Sequence, residues 1–295
     1  MMFSFKKSID KNNNLNSQTA GGLDPIVVLD VGCRWGFAER FLSEQCFPFF
    51  KIFGFDPDEA ECARLQASYS HLPDGYVTCV PVAVAGNPGQ RNLYLTKEPA
   101  CSSLHPPVQY LAEKYPALDC ISLQKIVTAH VTTLDLWARE ENLRTIDYIK
   151  IDTQGSELEI LKGGNSLIET TRCIDIEVEF NPIYEGQTLF GETDMYLRSK
   201  GFVLWRLSNL VHYSLGGERL VMPDKNYVCF DTNARFEVEA HGGQLFWADA
   251  RYIHRDVLAP SLPGTTKSRE RNLRLFDALN MLDVVDHINR VGSKK

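Results

Sequence analysis

The segment IVVLDVG at 26–32 constrains the fold more than any other stretch of the chain. Its apolar residues run on without the alternation of a half-exposed strand, so both faces must be covered, as in a parallel sheet. The same pattern returns in KIFGFDP (51–57), TCVPVAVA (78–85), IDYIKID (146–152) and CIDIEVEF (173–180), and FVLWRLS and NYVCFD complete the strand count. Helices are expected between them at 36–46, at 58–70, from about Thr133 to Glu141, from about Ser156, and near 191–200. Strands alternating with helices predict a doubly wound α/β fold, mainly parallel, with helices on both faces because right-handed crossovers place them there. The turn residues of GNPGQR followed by NLYLT predict a short hairpin added to this sheet. Residues 97–125, rich in Pro and Ser, predict a long loop or lid.

Three regions follow from texture. Residues 1–24 form a polar, Asn-rich leader expected to be flexible, and 25–233 the main domain. Residues 234–295 are expected to be a C-terminal extension whose final helix gathers Leu275, Ala278, Leu279, Leu282 and Val285 on one face, docked on the parent domain. No apolar run reaches the roughly 18 residues a bilayer span needs, and the leader lacks a signal peptide's apolar centre. A cytoplasmic protein without a membrane partner is therefore expected. Lys and Arg number 31 against 38 Asp and Glu, a net charge of -7, which is the wrong sign for neutralising many phosphates. Nucleic acid is accordingly not expected as a partner. The eight cysteines include no CxxC pair, so neither a zinc knuckle nor a dithiol motif is spelled, and they read as reduced small core residues.

Ligands of such sheets bind beyond the carboxyl ends of the strands, which here terminate in Asp30, Asp56, Asp152 and Glu179. In DVGCRWG, Gly32 and Gly36 open the first strand-to-helix turn to close approach by a ligand, and Asp56 is placed to accept bonds from two ribose hydroxyls. Together they point to an adenosine-containing ligand. The dinucleotide pattern GxGxxG would need glycine where this chain has Arg34 and Phe37, so room for a pyrophosphate is missing and a nicotinamide-dependent oxidoreductase is disfavoured. S-adenosylmethionine carries no phosphate. Its ammonium suits Asp30, its carboxylate the amides of the glycine turn, and its sulfonium a carboxylate or the face of Trp35.

A second constellation is KIDTQGSELEILKGG. Asp152 ends a strand, Gly155 permits a tight turn, and Ser156 with Glu159 has the spacing of a capping box, which makes Glu159 structural. Glu157 falls in the first helical turn, where the macrodipole favours an anion in any case. FNPIY (180–184) is similar to the motif of adenine amino-methylation but follows the wrong strand, so Asn181-Pro182 reads as a strand-ending turn on the rim.

The ordered set DVGxxxG, Asp56-Pro57, TLD before a helix, and KIDxxGxE resembles the FkbM family of S-adenosylmethionine-dependent methyltransferases. ACSSL, VPVAVA and a glutamate within EVEF add to the likeness, which runs from about Ile26 to Leu207. The resemblance implies a seven-stranded Rossmann-like methyltransferase sheet and transfer of the sulfonium methyl to a hydroxyl of a sugar, polyketide or similar natural product. It implies Asp30, Gly32, Gly36, Asp56 and Pro57 as cofactor residues and Asp152 and Glu157 at the active-site edge; Ser103, Glu157 and Glu179, with Asn181 from its place on the rim, are the expected substrate-binding residues. Asp152, His105 and His130 are the candidate bases for the hydroxyl proton. Asp147, Asp152, Glu177 and Glu179 would be the hard ligands of a magnesium ion, a possibility no metal motif supports. Two departures from the family pattern are Asp56, often Glu, and Gln154, often acidic. The alternative reading is a non-catalytic module that uses the same fold to hold a glycan or a partner protein. Nothing in the sequence indicates an oligomeric state.

Overall fold

The structure, a computed structural model, describes residues 24–213, 215, 221–229, 235–241, 243–259 and 265–292. The expected leader therefore lies, apart from Asp24, outside the described residues. In chain order the elements are β1 (Ile26–Val31), β2 (Phe50–Phe55), α1 (Glu59–Ser68), β3 (Val77–Val80), β4 (Ala83–Val84), β5 (Gly89–Thr96), α2 (Gln109–Lys114), β6 (Leu123–Thr132), α3 (Leu134–Glu140), β7 (Tyr148–Ile151), α4 (Glu157–Gly163), α5 (Asn165–Ile168), β8 (Cys173–Glu179), α6 (Phe190–Ser199), β9 (Phe202–Tyr213), β10 (Val221–Cys229), β11 (Arg235–His241), β12 (Gln244–His254), α7 (Thr266–Ala278) and α8 (Leu282–Gly292).

Seven strands form the main sheet in the order β3-β2-β1-β7-β8-β12-β9. All pairings from β3 to β8 are parallel, and β12 runs antiparallel to both of its neighbours. Every residue of β1 is buried, as its unbroken apolar run requires. Its alternate residues feed opposite faces: Val27, Leu29 and Val31 join the cluster containing Trp137 and Ile160, whereas Ile26 and Val28 join that of Phe41 and Phe276. The expected doubly wound, mainly parallel α/β sheet is the one observed.

Several local expectations are revised. Residues 36–46 hold only a 3-10 turn, Glu39–Phe41, in place of a helix. Two tyrosines satisfy backbone groups that a helical ladder would otherwise pair: the Phe37 amide donates to the Tyr69 hydroxyl, and the Tyr76 hydroxyl donates to the Phe41 carbonyl. The run 78–85 is split at Pro81, which has no N–H to donate, so β3 stays in the main sheet and β4 leaves it. The hairpin expected to extend the main sheet is β5 paired antiparallel to β6, and with β4 they make a separate three-stranded sheet. The stretch 97–125 is not a bare loop. It holds α2 and two 3-10 turns, and Leu111, Tyr115, Leu118 and Ile121 pack with Ile183, Tyr184 and Phe246.

The first four residues of NYVCFD fall in β10, which pairs with β11 outside the main sheet, and the last two lie outside the described residues. The region after 234, expected as an extension, supplies β12 in the interior of the main sheet. The final helix is two, broken at Asn280 with φ 54°. Its buried face is Leu275, Phe276, Leu279, Met281, Val284 and Ile288, while Leu282 stays 63% exposed. This pair does dock on the sheet, alongside Tyr148 and Ile253. Arg271 fastens it: its guanidinium donates to both oxygens of Asp147, at 2.5 and 2.6 Å, and to the carbonyls of Asp24 and Pro25. Among the described residues, Arg271→Ala leaves the buried Asp147 carboxylate with only the Val27 amide at 2.8 Å. The expected cost is about 3 kcal/mol in denaturant unfolding, the low end for breaking a buried pair because Arg271 is partly exposed. Unaltered stability would show the helices to be held by apolar packing alone.

Candidate functional site

A cavity of about 830 Å³ lies beyond the carboxyl ends of the central strands, and Gly32, Asp56, Asp152 and Glu179 all line it. Leu93 and Leu95 of β5, Ser103, and Leu118 of the packed insertion contribute to its opposite wall. The split at Pro81 thus has a purpose: the three-stranded sheet walls a chamber that a continuous third strand would leave open.

Gly32 has φ +89°, and a Cβ there would fall inside the Asp152 carbonyl group, 2.9 Å from its carbon and nearer still to its oxygen. The glycine turn therefore rests on the end of β7, and packing, as much as ligand room, demands a glycine. Gly36, with φ +88°, is pressed against the Tyr69 hydroxyl and does not line this cavity. Asp56 is buried at the end of β2, with Pro57 beside it in the cavity wall. Its Oδ1 accepts the Asp58 amide at 2.8 Å and lies 3.8 Å from Arg34 Nη1. Burial pushes the Asp56 carboxyl above its ordinary value, and the Asp58 amide and Arg34 moderate the rise.

Asp30 lines a second cavity of about 450 Å³ and not the first. The two adjoin, sharing Trp35, Asp152 and Glu177. Burial raises the Asp30 carboxyl to about 6, against the pull of the Lys150 ammonium 3.5 Å away. Lys150 also stands 3.6 Å from Asp152. It is opposite Asp30 in the β1–β7 register, and as the residue two before Asp152 it shares that side of the strand. The KID spacing carried this signal, which the sequence reading did not use.

The centre of the site is a chain of carboxylates joined by one amide. Gln154, at φ 60°, donates from Nε2 to Asp152 Oδ1 at 3.0 Å and to Glu177 Oε2 at 2.9 Å, and the Tyr184 hydroxyl reaches its Oε1 at 3.1 Å. The residue noted in the sequence only as a departure from its relatives is thus the connector of the site. Glu177 and Glu179 are buried in the cavity wall. Burial, with the charge of Asp152 and of the neighbouring glutamates, pushes both well above the ordinary range, so they hold their protons.

An acid of this kind stabilises the fold fully below the ordinary glutamate value of about 4.3, and that contribution drains as pH rises toward the raised value. The wild-type melting temperature is therefore expected to fall as pH rises above about 4.3, and Glu177→Gln to flatten the fall. Parallel melting curves for the two proteins across that range would show that Glu177 is not protonated in the fold.

The other expected site residues are distributed as follows. Glu157 is buried, outside the cavity lining, and its carboxylate accepts the Thr153 amide at 2.9 Å, the Thr153 hydroxyl at 3.0 Å and the Gly155 amide at 3.0 Å. It shapes the 153–155 loop. Ser103 lines the cavity and donates to the Gln154 carbonyl at 2.6 Å, pinning the insertion to the same loop. His105 is outside the lining, between Glu159 Oε1 at 3.3 Å and the Glu185 carbonyl at 3.2 Å. His130 is exposed on β6 opposite Gln90 and lines neither cavity. Asn181 donates to the Leu245 carbonyl at 2.6 Å and likewise lies outside the lining.

The expected capping box does not form. The Ser156 hydroxyl is buried in the cavity wall without a partner among the described residues, and Glu159 reaches away to Arg91 at 2.6 Å. Burial opposes ionisation of Glu159, but His105 and Arg91 prevail and hold its carboxyl at about 2. Asp147 precedes β7, at the end opposite Asp152, about 16 Å away along the strand. The four-carboxylate magnesium set is thereby ruled out as a single site. The three acidic oxygens that do converge within 4.8 Å belong to Glu157, Glu177 and Glu179.

Among the described residues no helix is long and apolar enough to cross a membrane. Comparison with known proteins places the chain among methyl-transferring enzymes. A solved precorrin-6y C5,15-methyltransferase from Geobacter metallireducens GS-15 is similar over 78% of this chain and 81% of its own, with 10% identity and a TM-score of 0.35. The TrmK structure from M. capricolum, in complex with S-adenosyl-homocysteine, is similar over 99% and 97%, with 8% identity and a TM-score of 0.37. These describe distant likeness only. In sequence, the 2-O-methyltransferase NoeI of Sinorhizobium fredii (strain NBRC 101917 / NGR234) is 31% identical over 172 residues, spanning 56% of this chain and 67% of that protein. The model of the methyltransferase FkbM domain matches residues 20–204, more than half of the chain. With the ordered motifs and the sheet they build, this match makes the chain a member of the FkbM methyltransferase family.

Proposed function

We propose that the protein transfers a methyl group from S-adenosylmethionine to a hydroxyl of a small-molecule or glycan acceptor. The observation that carries this reading is a single cavity running from the buried Asp56 to the Asp152–Gln154–Glu177 network. Its volume falls in the range of ligand sites and at its upper part, as two reactants require. Asp56 and Pro57 at one end suit a ribose, and the acidic opposite end suits a positively charged sulfur. When bound, the donor would supply an electrophilic methyl. The hydroxyl acceptor is supported by the 2-O specificity in the name of the NoeI relative.

The residues of this chain then divide the work. Asp152, half-exposed at the junction of the two cavities, takes the acceptor proton. Lys150 and Gln154 hold its carboxylate from two sides and keep it aimed into the chamber. Neutral Glu179 lies in the same wall, able to donate to an acceptor oxygen. Trp247, whose Nε1 donates to the Tyr213 hydroxyl at 3.1 Å, offers an aromatic face in the cavity wall on which a sugar ring can stack. The packed insertion and the three-stranded sheet exclude water from a reaction whose largest contribution is alignment of nucleophile, carbon and sulfur.

A screen of sugars, glycans and polyketide alcohols with labelled donor tests the reading, the expected result being label on an acceptor oxygen. Asp56→Ala is expected to weaken donor binding about 10- to 100-fold in titration calorimetry, the equivalent of charge-assisted bonds to the ribose. No heat from the wild type with donor would replace the enzyme by a non-catalytic binding module.

A further inference from the structure

Cys101 and Cys120 are read from sequence as isolated core residues, but the fold brings them together in the wall of the larger cavity. Both are half-buried; the Cys101 thiol is the donor toward the Cys120 sulfur, which itself donates to the Ala117 carbonyl at 3.5 Å. The backbone accounts for the meeting. Glu98 donates its amide to the Cys120 carbonyl at 3.0 Å and Lys97 donates to the Ser122 carbonyl at 2.9 Å. The Lys97–Asp119 ion pair closes the same seam. These bonds lay the 3-10 turn Pro99–Cys101 against the turn Pro116–Ile121. The pair also touches the acidic network: the Cys101 carbonyl accepts the Tyr184 hydroxyl at 2.7 Å, and that hydroxyl reaches Gln154.

We propose that Cys101 and Cys120 are a modification site, a dithiol that a peroxide converts to a disulfide tying the two turns of the cavity wall together. The proposal stands independently of the methyl-transfer reading. Cys120 is the attacking sulfur, because the hydrogen bond from Cys101 outweighs burial and draws its thiol below the ordinary value. Burial instead pushes Cys62 up to about 12 and Cys79 up to about 11. The Cys120 thiolate attacks one peroxide oxygen, breaking the O–O bond and releasing hydroxide, and becomes a sulfenic acid. The Cys101 sulfur then attacks that sulfur. An S–S bond forms, the sulfenic oxygen leaves with the thiol proton as water, and in sum two thiols are oxidised while one peroxide becomes two waters.

The test uses the whole chain, stoichiometric hydrogen peroxide, blocking of free thiols with N-ethylmaleimide and peptide mapping by mass spectrometry. The expected product is a Cys101–Cys120 linked peptide lighter by two hydrogens, restored by dithiothreitol. In a second measurement that needs no oxidation, iodoacetamide at neutral pH is expected to label Cys120 ahead of Cys62 and Cys79 in the wild type. Cys101→Ser should slow that labelling on the order of tenfold as the stabilising donor is weakened. Oxidation of other cysteines with 101 and 120 left reduced, or labelling of Cys79 as fast as Cys120, would overturn the proposal. Neither measurement involves a methyl donor or acceptor, so its failure is distinct from failure of the proposed enzymatic activity.

Discussion

Gly32→Ala is expected to destabilise the fold by more than about 4 kcal/mol, in the range reserved for exceptional single changes. Two costs combine. A residue with a Cβ at φ +89° loses about 1 to 3 kcal/mol in strain wherever it occurs. Here the methyl group would also overlap the Asp152 carbonyl, which is backbone and cannot rotate away. The glycine turn must therefore lift off β7, breaking the bonds by which Gly32 and Cys33 donate to the Phe55 carbonyl at 2.9 and 3.1 Å. The consequence reaches chemistry, since the displaced carbonyl belongs to the residue assigned as base. Gly75→Ala is the control: φ is +71° and no atom of the described residues lies within 4 Å of its Cβ position, so only the strain remains, about 1 kcal/mol. Thermal melts of both variants measure the difference. Equal melting temperatures for the two alanine variants would show that the turn is not seated on β7.

The frame of the molecule was legible because its signals are local. IVVLDVG and CIDIEVEF announce buried strands by their continuous apolar character, and Thr133 announces α3 because its hydroxyl caps the Leu136 amide at 3.1 Å. The place of Asp56 and Gly32 in the cavity wall was legible for the same reason, each following a strand in an identifiable motif. What escaped the sequence is pairing at long range. β12 enters the sheet between β8 and β9, which are earlier in the chain, and no composition within 244–254 says where it will insert. Side-chain pairing between distant segments escaped similarly. Glu159 has the spacing of a capping partner, but Arg91, 68 residues away, offers it a full charge, and the cap was abandoned. His105 drew attention as a titratable group in a supposed lid; once the lid proves to be packed structure, the histidine is a bridge between Glu159 and Glu185. Gln154 had no motif to announce it, since an amide earns its role here only from carboxylates on another strand.

Asp152→Asn is expected to lower kcat about 10²- to 10⁴-fold, the usual contribution of a positioned base, with donor affinity changed no more than about threefold. The substitution is nearly isosteric and keeps a carbonyl oxygen for Gln154 Nε2, now 3.0 Å from Oδ1, so the network's shape should survive. Its charge does not survive, and the charge of Asp152 is one of the causes that hold Glu177 protonated, second to burial. Removing it lets Glu177 ionise at lower pH. Residual turnover in Asp152→Asn should therefore climb with pH as Glu177 takes over the proton, and Asp152→Asn combined with Glu177→Gln should abolish the climb. Single-turnover rates across pH, with donor binding followed by calorimetry, separate this from a merely structural role, which would move stability and affinity together and leave the pH profile in place. Turnover of Asp152→Asn within about threefold of wild type would transfer the base to another group of the cavity. The buried Glu179, already in the wall and raised by the same charges, is then the next carboxylate the geometry offers.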